Sequence, residues 1–200
     1  QDIDANTLVI VDEDNRIQGL ITMTDVAKAY MDAFDATIMT KAETTYRNIV
    51  KTLDGELVVG DLSESVCEGK ICVAAGNAAT MASVIEKGDT VILSNRVDSQ
   101  MLAIELGAGC MVVTGGNAVP QHIQRMAKNH DTTVLCTPYD SYTAARLISQ
   151  SAPVSYFMTK GSLLSFSLKA PVEDVQKVMV KVRHRYFPVL DLDGRYYGMI

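Results

Sequence analysis

The sequence has no apolar run that approaches the roughly 18 residues a membrane-spanning helix requires. Its first residues also lack the basic segment followed by an apolar segment that marks a secretory signal. These two absences predict a cytoplasmic protein. Gln1 is not a natural first residue, so we expect the chain to be a piece of a longer protein.

Basic residues are scarce relative to acidic ones: 18 Lys and Arg stand against 24 Asp and Glu, for a net charge of −6. This balance argues against broad binding of nucleic acid, which needs a basic face, but it allows a small anionic ligand in a locally basic pocket. The four cysteines show no CxxC pair and no grouping with histidine at metal spacing, so we expect buried free thiols, no disulfide and no metal site. They are Cys67, Cys72, Cys110 and Cys136.

Signatures of catalysis are also missing. The histidines are His122, His130 and His184, and no cluster of carboxylates accompanies them. The sequence has no hydrolase triad, no Walker loop with its Lys-Ser/Thr pair and no Gly-x-Gly-x-x-Gly fingerprint. It therefore predicts no catalytic residues, and His122 is expected to be a surface residue of a helix.

What the sequence does contain is a long-range repeat, because Thr7–Ile21 aligns with Tyr186–Ile200 without a gap. The identical pairs are Asp12/Asp191, Asp14/Asp193, Arg16/Arg195, Gly19/Gly198 and Ile21/Ile200. Each copy reads as an apolar run, an acidic turn and a second apolar run through a glycine, which is typical of a β-hairpin. Two similar hairpins therefore bracket the rest of the chain.

Between the hairpins, from Thr37 to Gln150, short apolar runs alternate with helical patterns. The predicted strands are Glu56–Val59, Lys70–Ala74, Thr90–Leu93, Cys110–Val113 and Thr133–Cys136. Continuous apolar strands that alternate with helices indicate a largely parallel sheet covered on both faces. The chain is therefore expected to be of the α/β class, with an inserted α/β domain.

The ends of these strands carry the polar residues of the insert, notably Asn95–Asp98 and Thr114–Asn117. Ligands of an open α/β sheet bind at the carboxyl ends of its strands, so this edge is a candidate face. The alternative is that Gly, Asn and Thr are needed there to turn a strand into a helix. We interpret Arg96 and Asp98 as a structural ion pair.

The segment Thr22–Asp25 lies where the first hairpin leads into a predicted helix. Hydroxyls, free backbone N–H groups and one carboxylate meet at this point, which suits a phosphate and a ribose diol. The alternative is that Thr24 and Asp25 only cap the helix. Spacing alone favours that alternative, with Thr24 as the cap.

The C-terminal segment is expected to form strands at Ser155–Thr159 and Leu163–Phe166 and a helix that starts at Pro171. The predicted buried stripe of this helix is Val172, Val175, Val178, Met179 and Val182. A basic cluster, Lys181–Arg185, ends the helix just before Tyr186. The cluster is either solvated charge that matches the helix dipole or a holder of phosphates beside a base stacked on Tyr186, and sequence alone leaves both open.

Several of these segments resemble known motifs. Met158-Thr159, the helix, Tyr186–Asp191 and Gly198–Ile200 follow one another in an order that resembles a cystathionine-β-synthase (CBS) motif, and Leu8–Asp12 with Gly19–Asp25 resembles the second half of another. The insert, with Asn95-Arg96-x-Asp98 and Thr114-Gly115-Gly116, is similar to a DRTGG domain. A CBS pair split by a DRTGG domain resembles the regulatory insert of clostridial-type, manganese-dependent family II inorganic pyrophosphatases.

The resemblance implies three parts. Residues 1–36 would be the second half of the first CBS motif, residues 37–151 a DRTGG-like domain, and residues 152–200 the second CBS motif, truncated before its final helix. The fold class would be an α+β CBS pair that flanks an α/β DRTGG domain. The Asp-His-His signature of the parent enzymes is absent, so the resemblance implies a regulatory fragment and not an enzyme, with manganese only in the attached catalytic part.

The resemblance also implies a site for adenine nucleotides. Asp25 would bind a ribose diol, Met158 and Thr159 would border the base, Tyr186 would stack on it, and Arg185 would meet phosphate. The backbone of residues 186–188 would read the adenine edge, and Thr22 and Thr24 would lie near ribose or phosphate. The implied nucleotide-binding residues are Thr22, Met23, Thr24, Asp25, Met158, Thr159, Lys160, Arg185, Tyr186, Phe187 and Pro188.

The function implied by the resemblance is control of an attached pyrophosphatase, inhibitory with AMP or ADP and activating with ATP or a diadenosine polyphosphate. The partners implied are those nucleotides, the catalytic domains of the same chain and a second copy that dimerises through the CBS helices, with no nucleic acid and no membrane. The alternative is a nucleotide-sensing CBS/DRTGG module of a transcriptional or metabolic regulator.

Overall fold

The computed structural model of the chain describes residues 7–32, 35–161, 163–182 and 186–200. The described strands are β1 (Thr7–Val11), β2 (Ile17–Thr22), β3 (Glu56–Val59), β4 (Ile71–Val73), β5 (Thr90–Leu93), β6 (Cys110–Val113), β7 (Thr133–Cys136), β8 (Phe166–Ser167), β9 (Pro188–Leu190) and β10 (Tyr196–Met199). The described helices are α1 (Met23–Asp32), α2 (Ile38–Lys41), α3 (Tyr46–Thr52), α4 (Ala78–Val84), α5 (Val97–Glu105), α6 (Gln121–Asn129), α7 (Ser141–Leu147), α8 (Val154–Phe157) and α9 (Val172–Lys181), with a 3-10 turn at Ile148–Ser151. None of these helices is long and apolar enough to cross a membrane.

The chain divides into two compact units. The first, which we call the hairpin unit, joins Gln1–Ala29 with Val154–Ile200. The second, which we call the insert unit, is the continuous segment Tyr30–Pro153. The hairpin unit is therefore discontinuous in sequence, and the insert unit lies between its two halves along the chain.

The insert unit is built on a five-stranded sheet with the order β3-β7-β6-β5-β4. Strands β4 to β7 run parallel, and β3 joins the edge antiparallel to β7. Every residue of β5, β6 and β7 is buried, as expected of a parallel sheet that is covered on both faces. The predicted α/β class is confirmed, and the predicted bounds of these three strands agree with the structure residue by residue.

One apolar core holds helices α4, α5 and α6 on this sheet. Met81, Ile104 and Ile123 each come from a different one of these helices and are almost completely buried. Burial of one such side chain contributes about 1.5–3 kcal/mol to folding. The core therefore orients the loops that follow β4, β5 and β6, because these loops lead into α4, α5 and α6.

The hairpin unit contains the two sequence copies as antiparallel hairpins, β1-β2 and β9-β10. Asp12 Oδ1 accepts hydrogen bonds from the N–H groups of Asp14 (3.1 Å) and Arg16 (2.8 Å). Asp191 Oδ1 accepts the equivalent bonds from Asp193 (2.9 Å) and Arg195 (2.8 Å). The identical aspartates therefore build the same turn twice.

The two hairpins also contact each other within this unit, through Asn15. Asn15 has a left-handed backbone (φ 61°), and Gly194 takes the same role in the second copy (φ 76°). The N–H of Tyr196 donates to Asn15 O, and Asn15 Nδ2 donates to Tyr196 O, both at 2.8 Å. The first turn is thus hydrogen-bonded to the last strand of the chain, and Gly194 has no side chain with which to return this contact.

Three predictions for the C-terminal segment were wrong. The strand predicted at Ser155–Thr159 is mostly the helical turn α8, which Met158 N closes by donating to Val154 O at 3.0 Å. The strand predicted at Leu163–Phe166 is instead β8, at Phe166–Ser167. Apolar runs this short do not distinguish a strand from a helical turn.

The third error concerns α9. Pro171 is its N-cap, with an extended ψ of 141°, so the helix begins one residue later than predicted. Val175 is buried as expected, but Val172 is 70% exposed and does not belong to the stripe. Val172 is the first residue of the helix, where no preceding turn provides neighbours to pack on. The periodicity alone does not show this.

The cysteine prediction holds for three of the four residues. Cys72, Cys110 and Cys136 are buried, whereas Cys67 is exposed. Burial raises the pKa of the Cys72 and Cys136 thiols to about 11 and that of Cys110 well above its ordinary value. In the described ranges, no group of three or more His, Cys, Asp or Glu side chains is arranged to hold a metal ion.

The contact between the hairpins yields a pH-dependent prediction. Asn15→Asp should lower the free energy of unfolding by roughly 1–3 kcal/mol at pH 7, because a carboxylate cannot donate to Tyr196 O and is repelled by it. The protonated acid is favoured beside a carbonyl oxygen, so the pKa of the introduced carboxyl is raised in the folded state. The loss should therefore be small below about pH 4 and complete above about pH 6.

Urea unfolding followed by circular dichroism measures this difference, with the unchanged chain as the reference at each pH. A loss of equal size at pH 3 and pH 7 would contradict the prediction, because it would show that the donor at Asn15 is not what the contact requires.

Candidate functional site

The junction between β2 and α1 brings Thr22 and Asp25 together. Asp25 Oδ2 accepts hydrogen bonds from Thr22 N (2.8 Å) and Thr22 Oγ1 (2.7 Å), and Asp25 N donates to Thr22 Oγ1 at 3.3 Å. This is a reciprocal cap in which each side chain satisfies a backbone group of the other residue. Thr22 is therefore the capping residue, and the prediction of Thr24 as the cap was wrong.

The cap leaves part of the junction available to a ligand. Asp25 Oδ1 takes no part in the cap, and the Thr24 side chain is exposed, as is that of Met23. A carboxylate oxygen can accept hydrogen bonds from a diol, and the N-terminus of a ten-residue helix favours a nearby negative charge. Helix capping and ligand binding by Asp25 are thus compatible, because Oδ2 caps the helix while Oδ1 has no partner within the cap.

A second predicted group, Met158–Thr159, lies against the same strand. Leu20 N donates to Thr159 O at 3.1 Å, and Thr159 N donates to Leu20 O at 2.8 Å. Leu20 precedes Thr22 by two residues on β2, so the bridge places Thr159 beside the strand that leads to the cap. The two bridged segments are far apart in sequence. Thr159 and Lys160 are exposed beside it.

The contact is close because Gly19 has no side chain. A Cβ atom at Gly19 would lie 2.6 Å from Met158 Sδ and 2.9 Å from Thr159 O. Gly19 belongs to one of the identical pairs of the repeat, but nothing in the sequence alone connects it with a site. The usable signal was a glycine inside a strand, which often marks the close approach of another segment.

The third predicted group, residues 186–188, lies at the start of β9 and divides into core and surface. Phe187 is 1% exposed and packs on Phe166, with ring centroids 5.4 Å apart, whereas Tyr186 is 44% exposed. Pro188 is buried. The phenol ring of Tyr186 is thus accessible for stacking, and Phe187 is a core residue.

The backbone of Phe187 is already used. Phe187 N donates to Ile200 O and Ile200 N donates to Phe187 O, both at 3.0 Å. An adenine edge read by the backbone of residues 186–188 therefore has to rely on the groups of Tyr186 and Pro188. Arg185, predicted to meet phosphate, lies outside the described residues.

The candidate edge of the insert unit is occupied by its own turn. Thr114 Oγ1 donates to Leu93 O (3.1 Å) and contacts Ser141 Oγ (2.8 Å), while Gly115 N and Gly116 N donate to Tyr139 O and Thr137 O. Both glycines have left-handed backbones, φ 90° and 68°. The Thr-Gly-Gly segment is thus a strand-to-helix corner whose polar groups are satisfied internally, which favours the structural alternative for these residues.

Other polar residues of that edge have structural roles too. Asn77 and Asp140 cap α4 and α7 by accepting hydrogen bonds from Thr80 N (3.0 Å) and Thr143 N (2.9 Å). Arg96 and Asp98 form the expected exposed ion pair at 3.1 Å, and this pair lowers the pKa of Asp98. The His122 side chain is exposed on α6, as predicted.

A groove of about 860 Å³ does open elsewhere in the insert unit, between α6 and the edge strand β3. Its charged lining residues are Asp61, Glu64, Arg125, Lys128 and Asp131. Hydrogen bonds from Ser63 hold the pKa of Asp61 below its ordinary value. With three carboxylates against two cations, the groove has no excess of positive charge that would select a phosphate-bearing ligand.

Sequence comparison identifies both kinds of domain. The DRTGG domain family matches residues 48–151. The CBS domain family matches residues 4–32 and 154–200, so its match is divided by the DRTGG match.

Two curated relatives are inorganic pyrophosphatases by name. A cobalt-dependent inorganic pyrophosphatase of Clostridium perfringens is 36% identical over 200 residues, which is 100% of this chain and 36% of that protein. A probable manganese-dependent inorganic pyrophosphatase of Thermotoga maritima is 27% identical over 182 residues, 91% of this chain and 33% of that protein. The chain thus spans about a third of the length of these curated relatives.

A solved structure resembles the whole chain. It is the crystal structure of the CBS and DRTGG domains of the regulatory region of Clostridium perfringens pyrophosphatase, complexed with its activator diadenosine tetraphosphate. The TM-score is 0.91 at 35% identity, and the match covers 100% of this chain and 86% of that one.

The cap at the β2-α1 junction yields a paired prediction. Thr22→Val removes the hydroxyl that accepts from Asp25 N, so it should destabilise the start of α1 by about 1 kcal/mol. Thr24→Val makes the same chemical change at an exposed position outside the cap and should cost less than about 0.5 kcal/mol. Amide hydrogen exchange of the first turn of α1 measures both, and equal acceleration in the two variants would show that Thr22 is not the cap.

Proposed function

The chain belongs to the family of CBS and DRTGG domain regions, and from that membership we propose that it binds adenine nucleotides and thereby regulates an attached inorganic pyrophosphatase. The observation that carries the proposal is the similarity, over the whole chain, to a regulatory region that binds diadenosine tetraphosphate. The chain itself contributes no catalytic residue to this function. The hydrolytic reaction, and the manganese it is expected to use, belong to the remainder of the parent protein, and one relative is named for cobalt instead.

The site is proposed to lie in the hairpin unit. It consists of the β2-α1 junction with Thr22–Asp25, the adjoining Met158–Lys160, and Arg185–Pro188. The geometry supports three roles: Asp25 Oδ1 accepts from a ribose diol, the start of α1 attracts phosphate, and the exposed ring of Tyr186 stacks on adenine. The three parts of the chain are proposed to be residues 1–36, 37–151 and 152–200.

AMP and ADP are proposed to inhibit, and ATP or a diadenosine polyphosphate to activate, through this one site. A ligand shifts a conformational equilibrium only if it binds the two states differently. A longer phosphate chain near a dimer axis would bridge or repel the two copies of the basic cluster Lys181–Arg185, where a monophosphate would not. Residues 183–185 lie outside the described residues, so this part of the proposal rests on the sequence.

A second copy of the chain is the proposed assembly partner. On α1, Met23, Tyr30 and Met31 are 61%, 63% and 71% exposed, and their spacing places them on one side of the helix. On α9, Val172 and Val180 are 70% and 88% exposed. Apolar side chains concentrated on two helices in this way are typical of a protein interface, and a two-fold dimer lets the same surface serve both copies.

Calorimetry of the purified chain with AMP, ADP, ATP and diadenosine tetraphosphate tests the proposed site. Tyr186→Ala should weaken binding of every adenine ligand by roughly 1–3 kcal/mol, the range for a base stacked on an aromatic ring. Tyr142→Ala removes an exposed tyrosine (78% exposed, against 44% for Tyr186) from the insert unit and should leave the affinities unchanged. If none of the four nucleotides binds at millimolar concentration, the proposed function is refuted.

Sedimentation of the chain tests the proposed dimer. Met31→Glu on α1 and Val180→Glu on α9 should each shift the chain toward monomer, because each places a charge in an apolar interface. Met101→Glu makes a matched change on α5 of the insert unit and should leave the sedimentation coefficient as it was. Equal behaviour of all three variants would argue against an interface on these helices.

A further inference from the structure

We infer that Gly19 is a positioning residue of the proposed nucleotide site. Because it has no side chain, Met158–Thr159 can reach the strand that ends in Thr22, and the distance between the two segments is set there. The inference rests on the proposed function, since it assigns a role to Gly19 toward the ligand of that site.

The contact at Gly19 has two components. A Cβ atom at this position would lie 2.6 Å from Met158 Sδ and 2.8 Å from Met158 Cγ, and it would lie 2.9 Å from Thr159 O. The thioether is the end of a flexible side chain and can turn away. The carbonyl is backbone, and it accepts the hydrogen bond from Leu20 N, so it cannot move without disturbing the bridge.

The size of the displacement follows from these distances. Ordinary contacts of a Cβ atom begin at 3.4 Å, so the carbonyl at 2.9 Å would have to retreat by 0.5 Å. A binding constellation has to be held to about 0.5 Å for productive geometry. A methyl group at Gly19 would therefore displace Met158–Thr159 from the strand that ends at Thr22 by about as much as the proposed site tolerates.

The repeat supplies a matched control. Gly198 is the equivalent of Gly19 in the second hairpin, and a Cβ atom there would meet nothing within 4 Å in the described part of the chain. Neither glycine has a left-handed backbone, so alanine brings no backbone strain at either position. The two substitutions thus change the intrinsic strand preference in the same way and differ only in what the new methyl group touches.

The bridge also leads to an expectation for the unchanged chain. Leu20 and Thr159 exchange hydrogen bonds between the two segments that the nucleotide would contact together. A ligand that spans both segments holds the bridge closed, so it should slow exchange of the Leu20 and Thr159 amides. The amide of Tyr196, which donates to Asn15 O at 2.8 Å in the same unit and belongs to no part of the proposed site, reports any general tightening.

The experiment is calorimetry with diadenosine tetraphosphate and with ADP on the unchanged chain, Gly19→Ala and Gly198→Ala, with circular dichroism of each unliganded chain. Gly19→Ala should bind roughly tenfold more weakly or worse, and Gly198→Ala should bind within about twofold of the unchanged chain. Equal affinity of the two variants would overturn the inference. A purely structural role would lower the melting temperature of unliganded Gly19→Ala but leave its affinity intact, which would also overturn it.

A double variant separates the two components of the contact. Met158→Ala removes the thioether, so adding Gly19→Ala in that background leaves the clash with Thr159 O alone. The second substitution should still weaken binding several-fold, and full restoration of affinity would refute the route through the carbonyl. If Gly19→Ala does not fold, the exchange measurement decides, because equal slowing of the Leu20 and Tyr196 amides by ligand would refute the role of the bridge.

Failure of the proposed function gives a different result. In that case the unchanged chain and Gly198→Ala bind neither nucleotide, and the inference falls with its premise. When those two chains bind and Gly19→Ala binds equally well, the function stands and only the role of Gly19 is rejected.

Discussion

The reciprocal hydrogen bonds between Leu20 and Thr159 are the interaction on which the hairpin unit depends. They join two halves of one unit that the insert separates by roughly 120 residues of chain. The bridge requires a glycine at position 19, because the carbonyl that accepts from Leu20 lies within contact distance of where a Cβ would be. This contact brings the predicted base-bordering segment Met158–Thr159 against the strand that ends at Thr22, so the candidate site and the closure of the unit share one structural feature.

Closure of so long a loop would be costly for a flexible chain, but the insert unit holds its own ends together. Asn48 Nδ2 donates to Ser151 O at 3.2 Å, and Ser151 Oγ lies 3.7 Å from Met39 Sδ. The cost of closure grows with the logarithm of the number of flexible residues, and a folded insert with adjoining ends contributes few of them. The structured insert therefore reduces the entropy that the Leu20–Thr159 bridge has to offset.

Local chemistry explains which features were predictable from the sequence. The strands Thr90–Leu93 and Cys110–Val113 are apolar on both faces, so composition alone marks their bounds. Asp12 and Asp191 occupy equivalent positions in the two copies of the repeat, so the same turn is predictable at both. The features that were missed include one set locally and one set by a distant contact. Thr22 caps α1 and Thr24 does not because of how β2 ends, and the role of Gly19 depends on a segment that no local pattern connects with it.

The discontinuity of the hairpin unit has a consequence for biosynthesis. The insert unit is one continuous segment with a sheet of sequential parallel strands, so it can fold as soon as residue 153 has left the ribosome. The hairpin unit cannot close until Thr159 and the second hairpin have been translated. The first hairpin is therefore synthesised long before the segment that pairs with Leu20, and that pairing has to wait until the whole insert has been translated.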